Sequence, residues 1–110
     1  MFGGLDFGQL QKQFRDMQKK LGELEKQLAE RVVEATAGGG MVKVKVNGTQ
    51  EVVQVEIDPE VIKSGDKAMI EDLVLAAVNE GVKKSRALRE KETAKITGMG
   101  MGGMGGLLGM

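Results

Sequence analysis

A predicted β-hairpin between residues 38 and 60 constrains the fold of this chain more than any other segment. Its sequence, GGGMVKVKVNGTQEVVQVEIDPE, opens on three glycines and closes on an Asp-Pro pair. Val42, Val44 and Val46 alternate with lysines, which is the period of two expected of a half-buried strand. An Asn-Gly pair, which favours the tightest hairpin turns, separates this series from a second alternating one. These signals predict an antiparallel pair of strands.

A two-residue turn at the Asn-Gly pair determines the predicted register of the hairpin. It places Val46 opposite Thr49 and Val42 opposite Val53, and directly opposed residues share one face of a sheet. The predicted apolar face therefore carries Val42, Val44, Val46, Val53, Val55 and Ile57. The predicted second face is mixed and partly wet, and it carries Lys43, Lys45, Gln50, Val52, Gln54 and Glu56.

A heptad stripe near the N-terminus predicts a long helix from about Asp6 to Glu30. Its apolar residues recur at spacings of three and four: Phe7, Leu10, Phe14, Met17, Leu21, Leu24 and Leu28. Such a helix is about 37 Å long, whereas a strand of six or seven residues covers only about 20–23 Å. The stripe therefore extends beyond any sheet that this chain can build, and an uncovered apolar stripe marks a partner surface. The predicted partner is a second copy of the chain, with an interface at Phe14, Met17, Leu21, Leu24 and Leu28.

Two further elements complete the predicted fold. Residues 31–37 (RVVEATA) are short and β-branched, so they predict a first strand that leads through the three glycines into the hairpin. The Asp-Pro pair ends the third strand, and Ser64 or Asp66 caps a second long helix that runs to about Ile96. The chain is therefore predicted to be an α+β protein with the order α-β-β-β-α and an antiparallel meander as its sheet.

Small residues lie on the inner face of the second predicted helix. Ala77, Gly81 and Ser85 are spaced four apart, which predicts a close approach to a neighbouring helix or sheet. From residue 98 the chain reads GMGMGGMGGLLGM, a composition that cannot bury enough surface to offset the entropy of ordering. Residues 1–97 are therefore predicted to form one domain, and residues 98–110 a disordered tail.

The residue inventory argues against an enzyme. The chain has no histidine and no cysteine, so the usual general base, thiol nucleophile and soft metal ligands are missing. Neither Gly-Lys-Ser nor Gly-Lys-Thr follows the three glycines, so they do not form a phosphate-binding loop. We predict no enzymatic activity, no cofactor, no metal and no small-molecule substrate. Because no apolar run reaches ~20 residues and the N-terminus does not resemble a signal peptide, we expect a cytoplasmic protein without a membrane partner.

The basic residues concentrate on the two predicted helices, although the formal net charge of the whole chain is zero. The candidate phosphate contacts are Lys12, Arg15, Lys19, Lys20, Lys83, Lys84, Arg86 and Arg89. Basic stripes on helices are often only solvated faces, but a dimer would place several of them on one particle. All three phenylalanines lie near the N-terminus, so the chain lacks an aromatic platform for single-stranded bases. Double-stranded DNA, contacted through its backbone, is the favoured nucleic acid.

The central block of the sequence resembles a known family. AGGGMVKVKVNGTQEVVQVEIDPE, followed by EDLVLAAVNE, is similar to the YbaB/EbfC family of bacterial nucleoid-associated proteins. The resemblance covers residues 5 to about 97, and it implies a long helix, a three-stranded antiparallel sheet and a second long helix in an obligate, tweezer-like dimer. It also implies DNA binding with weak or variable sequence preference, nucleoid organisation and gene regulation. The eight basic residues are assigned from charge, because the family motif lies in the sheet and the start of the second helix.

Two functional hypotheses follow from these observations. The first is a homodimer in the cytoplasm and nucleoid that binds duplex DNA through basic helical arms, with little readout of the bases. The second is a protein–protein interaction module whose exposed helices bind other proteins and whose DNA contact is incidental. Residues 32–82 carry four lysines against nine acidic residues. This acidic middle and the neutral net charge favour the second hypothesis, and the segregated basic helices favour the first.

Overall fold

Along the chain, a long helix precedes a three-stranded sheet and a second long helix follows it. This computed structural model describes the backbone of residues 6–108 and the side chains of residues 6–98. The elements are α1 (Phe7–Glu30), β1 (Val32–Ala37), β2 (Val42–Asn47), β3 (Val52–Ile57), α2 (Pro59–Lys63) and α3 (Lys67–Leu108). This order confirms the predicted α+β fold, to which α2 adds one short helix.

Aspartate side chains cap the starts of the helices. The Asp6 carboxylate accepts a hydrogen bond from the backbone N–H of Gly8 at 2.8 Å. Asp58 caps α2 in the same way, and the Asp66 carboxylate accepts a bond from the N–H of Met69 at 3.0 Å. Each bond satisfies one of the N–H groups that a helix leaves unpaired at its start. Both long helices therefore begin where the sequence predicts.

The sheet has β2 in the middle, between β1 and β3. Both pairings are antiparallel, which confirms the predicted meander. Val42, Val44 and Val46 of β2 are fully buried and form the core together with Ala77 of α3. The core therefore lies between the central strand and the second long helix.

The register of the β2–β3 hairpin differs from the prediction. Val42 lies opposite Ile57 and not opposite Val53, and Val44 lies opposite Val55. The predicted two-residue turn is therefore wrong, although Val55 and Ile57 do share the side of the sheet that carries the β2 valines.

The side chain of Asn47 explains the longer turn. Its oxygen accepts hydrogen bonds from the backbone N–H groups of Thr49 at 3.0 Å and Glu51 at 2.9 Å. Gln50 takes a left-handed φ of 69°, and its N–H donates to the Asn47 carbonyl at 3.1 Å. An asparagine that bonds to the backbone ahead of it stabilises this wider loop in place of the tight turn.

A bulge accompanies the longer turn. The pairing shifts between Lys45 and Val46. Val46 therefore lies opposite Val52, and Val53 is the bulged residue, which pairs with no residue of β2. The extra residue therefore brings Val52, predicted on the mixed face, to the face of the β2 valines, because one added residue shifts the alternation of a strand.

α3 approaches the sheet closely because small residues face it. An ideal Cβ on Gly81 would lie 2.6 Å from Val46 Cγ2, so this position accommodates glycine alone without a shift. One turn later, the buried Ser85 hydroxyl donates a hydrogen bond to the Asn47 carbonyl oxygen at 2.6 Å. Together with Ala77, these residues confirm the predicted close approach.

The end of α3 differs from its predicted position near Ile96. The helix continues to Leu108. The predicted tail, residues 98–110, lies almost wholly outside the residues whose side chains are described, and its disorder stays a prediction. Among the helices of the described part of the chain, none is long and apolar enough to cross a membrane.

α3 covers only part of the sheet. It lies across β1 and β2, whereas the side chains of β3 stay largely exposed. Val52, Val53 and Val55 are 42%, 53% and 44% exposed, although Val55 lies directly opposite the fully buried Val44. We refer to Val52 and Val55, which lie opposite Val46 and Val44, as the β3 strip, an apolar surface that the described residues leave uncovered.

Candidate nucleic-acid interface

The C-terminal end of the α1 stripe is buried within its own chain. Leu24 and Leu28 are 7% and 1% exposed. Leu28 packs against the hairpin turn, where the N–H of Gly48 donates to the Leu28 carbonyl oxygen at 2.8 Å. These two leucines, predicted at a dimer interface, are therefore already engaged in the fold of a single chain.

The N-terminal end of the same stripe is exposed. Phe7, Leu10 and Phe14 are 73%, 44% and 62% exposed, and Met17 and Leu21 are half-buried between the two ends. Because the sheet is too short to cover it, α1 projects beyond the sheet as the sequence predicts.

A row of cations runs along the side of α1 opposite the apolar stripe. Lys12, Arg15 and Lys19 are spaced by three and four residues, so their side chains leave the same side of the helix. Lys26, seven residues after Lys19, continues the row; the sequence prediction omitted it, although the heptad spacing was enough to find it. All four side chains are exposed, and within residues 6–98 none has a carboxylate at ion-pair distance. We refer to these four residues as the α1 cation row.

Two of the predicted contacts on α3 are used inside the fold. The Lys84 ammonium donates to the carbonyl oxygen of Glu34 in β1 at 3.0 Å. The Arg89 guanidinium pairs with the Glu25 carboxylate of α1 at 2.9 Å. These two cations hold α3 against its neighbours, so they are less available to a ligand than the α1 cation row.

The other predicted contacts face solvent. Lys83 and Arg86 are exposed, three residues apart on α3, and neither has an ion-pair partner within residues 6–98. Lys20 is exposed beside the α1 cation row and lines an open groove between α1 and α3. The structure thus leaves six of the eight predicted cations available on the surface.

An ion cluster at Glu92 connects the two long helices. The Glu92 carboxylate lies 3.3 Å from the Arg31 guanidinium and 3.1 Å from the Lys95 ammonium. The hydrogen bond from Lys95, supported by that from Arg31, holds the pKa of Glu92 below its ordinary value, against the opposing effect of burial. Because Arg31 directly follows α1, this cluster and the Arg89–Glu25 pair connect α1 to α3.

The fold and this surface define a small α+β protein that presents its cations on the exposed sides of long helices. Small molecules bind in concave cavities, whereas an extended row of cations on a helix suits the backbone of a polyanion. Such contacts position a protein on nucleic acid but do not read the base edges.

Comparison with known proteins identifies the family. The YbaB/EbfC DNA-binding family matches residues 2–101. A nucleoid-associated protein of Thermoanaerobacter pseudethanolicus is 44% identical over 96 residues, which cover 87% of this chain and 86% of that protein. A nucleoid-associated protein of Koribacter versatilis is 54% identical over 83 residues, which cover 76% of this chain and 78% of that protein.

A solved structure has the same fold. The crystal structure of an uncharacterized protein from Helicobacter pylori matches with a TM-score of 0.75 at 29% sequence identity, over 84% of this chain and 98% of that chain. The chain belongs to the YbaB/EbfC DNA-binding family, which confirms the resemblance of its central block. This is a family of DNA-binding proteins and not of enzymes.

Proposed function

We propose that the protein is a homodimer that binds duplex DNA through its phosphates and contributes to nucleoid organisation and gene regulation. The α1 cation row carries this proposal, because four exposed cations lie along a helix that projects beyond the sheet. The names of the relatives, which are nucleoid-associated proteins, support a location in the nucleoid.

The spacing of the α1 cation row suits several phosphates at once. Lys12 and Lys26 are about 21 Å apart along the helix at ~1.5 Å per residue, which equals about six steps of duplex DNA at ~3.4 Å each. Binding releases the counterions condensed on those phosphates, and this release supplies most of the affinity. Since the phosphates are the same in every sequence, we expect little sequence preference.

A second copy of the chain is the proposed cover of the β3 strip. Exposed apolar strips of this kind mark association surfaces, and self-association places the same strip on both partners. The predicted interface on α1 remains open at Phe14, Met17 and Leu21, whereas the two buried leucines do not contribute to it. A dimer would carry two cation rows, so it would contact a larger number of phosphates than a single chain does.

A pair of charge reversals tests the DNA contact. Arg15→Glu with Lys19→Glu removes two members of the α1 cation row. Lys63→Glu with Lys67→Glu is the control, since it changes the net charge equally at exposed lysines outside α1. Mobility shifts on random duplex across a salt series should show at least a tenfold loss of affinity for the α1 variant at about 0.1 M salt. The slope of log affinity against log salt should fall by about 2 for each chain that contacts DNA.

Three results of this experiment would contradict the proposal. Equal losses in the two variants would mean that net charge matters and the α1 cation row does not. Unchanged binding by the α1 variant would place the DNA contact elsewhere. If the unaltered protein binds no duplex even at about 50 mM salt, the protein-interaction hypothesis is favoured.

Sedimentation tests the dimer separately. Val55→Lys places a charge in the β3 strip and should convert a dimer into monomers, because an unpaired charge is costly to bury. An unaltered protein that sediments as a monomer would refute the homodimer while leaving the phosphate contact intact.

A further inference from the structure

The open groove between α1 and α3 brings cations from both helices together. It encloses about 300 Å³, and it is lined by Lys20 of α1 and by Lys95 of α3. Lys20 directly follows Lys19 of the α1 cation row, so the groove lies next to that row. A polyanion bound along the row therefore passes beside this groove.

Glu92 of α3 also lines the groove, and its carboxylate connects two cations. The Oε1 atom lies 3.3 Å from the Arg31 guanidinium and 3.1 Å from the Lys95 ammonium. The Glu92 side chain is 17% exposed, whereas the side chains of Arg31 and Lys95 are 52% and 62% exposed. The two cations are thus open to solvent, and the carboxylate is the anion that they share.

The contacts of this carboxylate are those that a phosphate would make. Lysine and arginine donate charge-assisted hydrogen bonds to carboxylate and phosphate oxygens alike. The hydrogen bond from Lys95 lowers the pKa of Glu92, so the carboxylate is ionised at neutral pH. Glu92 cancels one of the two positive charges of Arg31 and Lys95, so the three residues attract a phosphate less strongly than the two cations alone would.

We propose that the α1–α3 groove is a further phosphate site for duplex DNA and that the Glu92 carboxylate occupies it. This inference rests on the proposed function, because the phosphate belongs to the DNA backbone that the α1 cation row contacts. While the carboxylate bonds to Arg31 and Lys95, it keeps these donors and their charge from a phosphate. Glu92 therefore limits the affinity of the protein for DNA, and its removal adds one phosphate contact per chain.

A substitution that removes only the charge of Glu92 tests this site. Glu92→Gln nearly preserves the size of the side chain. Glu90→Gln is the matched control, because Glu90 is exposed on the same helix and no cation within residues 6–98 lies at ion-pair distance from it. Both variants change the net charge equally, and circular dichroism verifies that both are folded under the assay conditions.

Mobility shifts on random duplex measure the effect. At about 0.1 M salt, Glu92→Gln should bind about fivefold more tightly than Glu90→Gln. The slope of log affinity against log salt should steepen by about 1 for each chain that contacts DNA, since one further phosphate is neutralised. If Glu92 only connects the two helices, its loss weakens the fold and gives no gain in binding.

A double-mutant cycle tests whether the gain comes from the cations of the groove. Lys95→Gln should reduce the affinity at least about threefold more in the Glu92→Gln background than in the unaltered chain, where Lys95 is bonded to Glu92. Equal effects of Lys95→Gln in the two backgrounds would overturn the proposal.

The controls distinguish failure of this inference from failure of the proposed function. If Glu92→Gln and Glu90→Gln bind equally while Arg15→Glu with Lys19→Glu still weakens binding, the groove is not a phosphate site and the proposed function stands. If neither the unaltered chain nor Glu92→Gln binds duplex at about 50 mM salt, both are refuted. The gain should persist when inorganic phosphate replaces chloride at equal ionic strength. Its loss would assign the groove to the free ion and overturn the contact with DNA.

Discussion

Alanine at Gly81 should destabilise the protein, although alanine is a better helix former than glycine. An ideal Cβ there lies 2.6 Å from Val46 Cγ2, whereas carbon atoms normally approach to ~3.5–4.0 Å. Relieving this overlap requires a shift of Val46, which is fully buried in the central strand and stiff about χ1. Overpacking costs ~1–3 kcal/mol and the gain in helix propensity offsets ~1 kcal/mol of it. We expect a net loss of up to about 2 kcal/mol in the free energy of unfolding.

Gly22 provides a matched control for this substitution. It also lies within a helix, but nothing is found within 4 Å of its ideal Cβ. Gly22→Ala should therefore gain the full helix propensity, about 1 kcal/mol. The helix-propensity gain is common to both positions, so the two substitutions should differ by the cost of overpacking alone, roughly 1–3 kcal/mol.

Urea unfolding followed by circular dichroism measures both effects. The protein concentration is held constant, because self-association makes stability depend on concentration. Val46→Ala removes Cγ2, so Gly81→Ala should cost less in that background than in the unaltered chain. If Gly81→Ala is as stabilising as Gly22→Ala, the close approach of α3 to β2 is refuted. If its cost is the same in both backgrounds, Val46 is not the side chain that resists it.

Two further predictions concern α3. Ser85→Ala removes the bond to the Asn47 carbonyl, which keeps a second donor in the N–H of Gln50, so urea unfolding should show a loss of only about 1 kcal/mol. A loss several times larger would contradict this account of the hydroxyl. The folded pKa of Glu92 is lowered, so its contribution to stability is present above the ordinary pKa of 4.5 and is lost as the pH falls through the lowered value. The difference in urea midpoint between the unaltered chain and Glu92→Gln should therefore shrink from about pH 6 to about pH 3, and a constant difference would argue against the ion cluster.

The helices could be predicted because their signals are local. The heptad stripe predicted α1 from end to end, and Asp66 marked the start of α3 one residue before the helix begins. The small residues Ala77, Gly81 and Ser85 also predicted the side of α3 that meets the sheet. Each of these features depends on residues within a few turns of one another, which is the range over which helix periodicity acts.

The hairpin register could not be predicted from alternation and the Asn-Gly pair alone. That pair favours a two-residue turn, but Asn47 uses its side chain to accept the N–H groups of Thr49 and Glu51. Because both valine series have the same period of two, they fit the predicted register and the observed register almost equally well. The side-chain bonds of one residue therefore decide which valines face each other.

Which basic residues are bonded within the fold, and which face solvent, could be determined only from the tertiary structure. Lys84 and Arg89 belong to the same basic segment as the exposed cations Lys83 and Arg86, and sequence reasoning treated them alike. Their partners, a carbonyl in β1 and a carboxylate in α1, come from elements more than forty residues earlier in the chain. Charge counted along a sequence does not distinguish a cation that binds a ligand from one that holds two elements together.

The two edges of the sheet are chemically different, and this difference limits assembly. Beside the β1 edge, Lys84 of α3 donates to the Glu34 carbonyl oxygen of the strand, and a lysine charge at an edge opposes pairing with another strand. The β3 sequence, VVQVEI, contains no lysine and its side chains are exposed. A sheet that can be extended at one edge accepts a single neighbour, and an identical neighbour offers the same edge in return. If the proposed homodimer forms by pairing of two β3 strands, its growth stops at two chains, whereas two extensible edges would lead to an open-ended fibre.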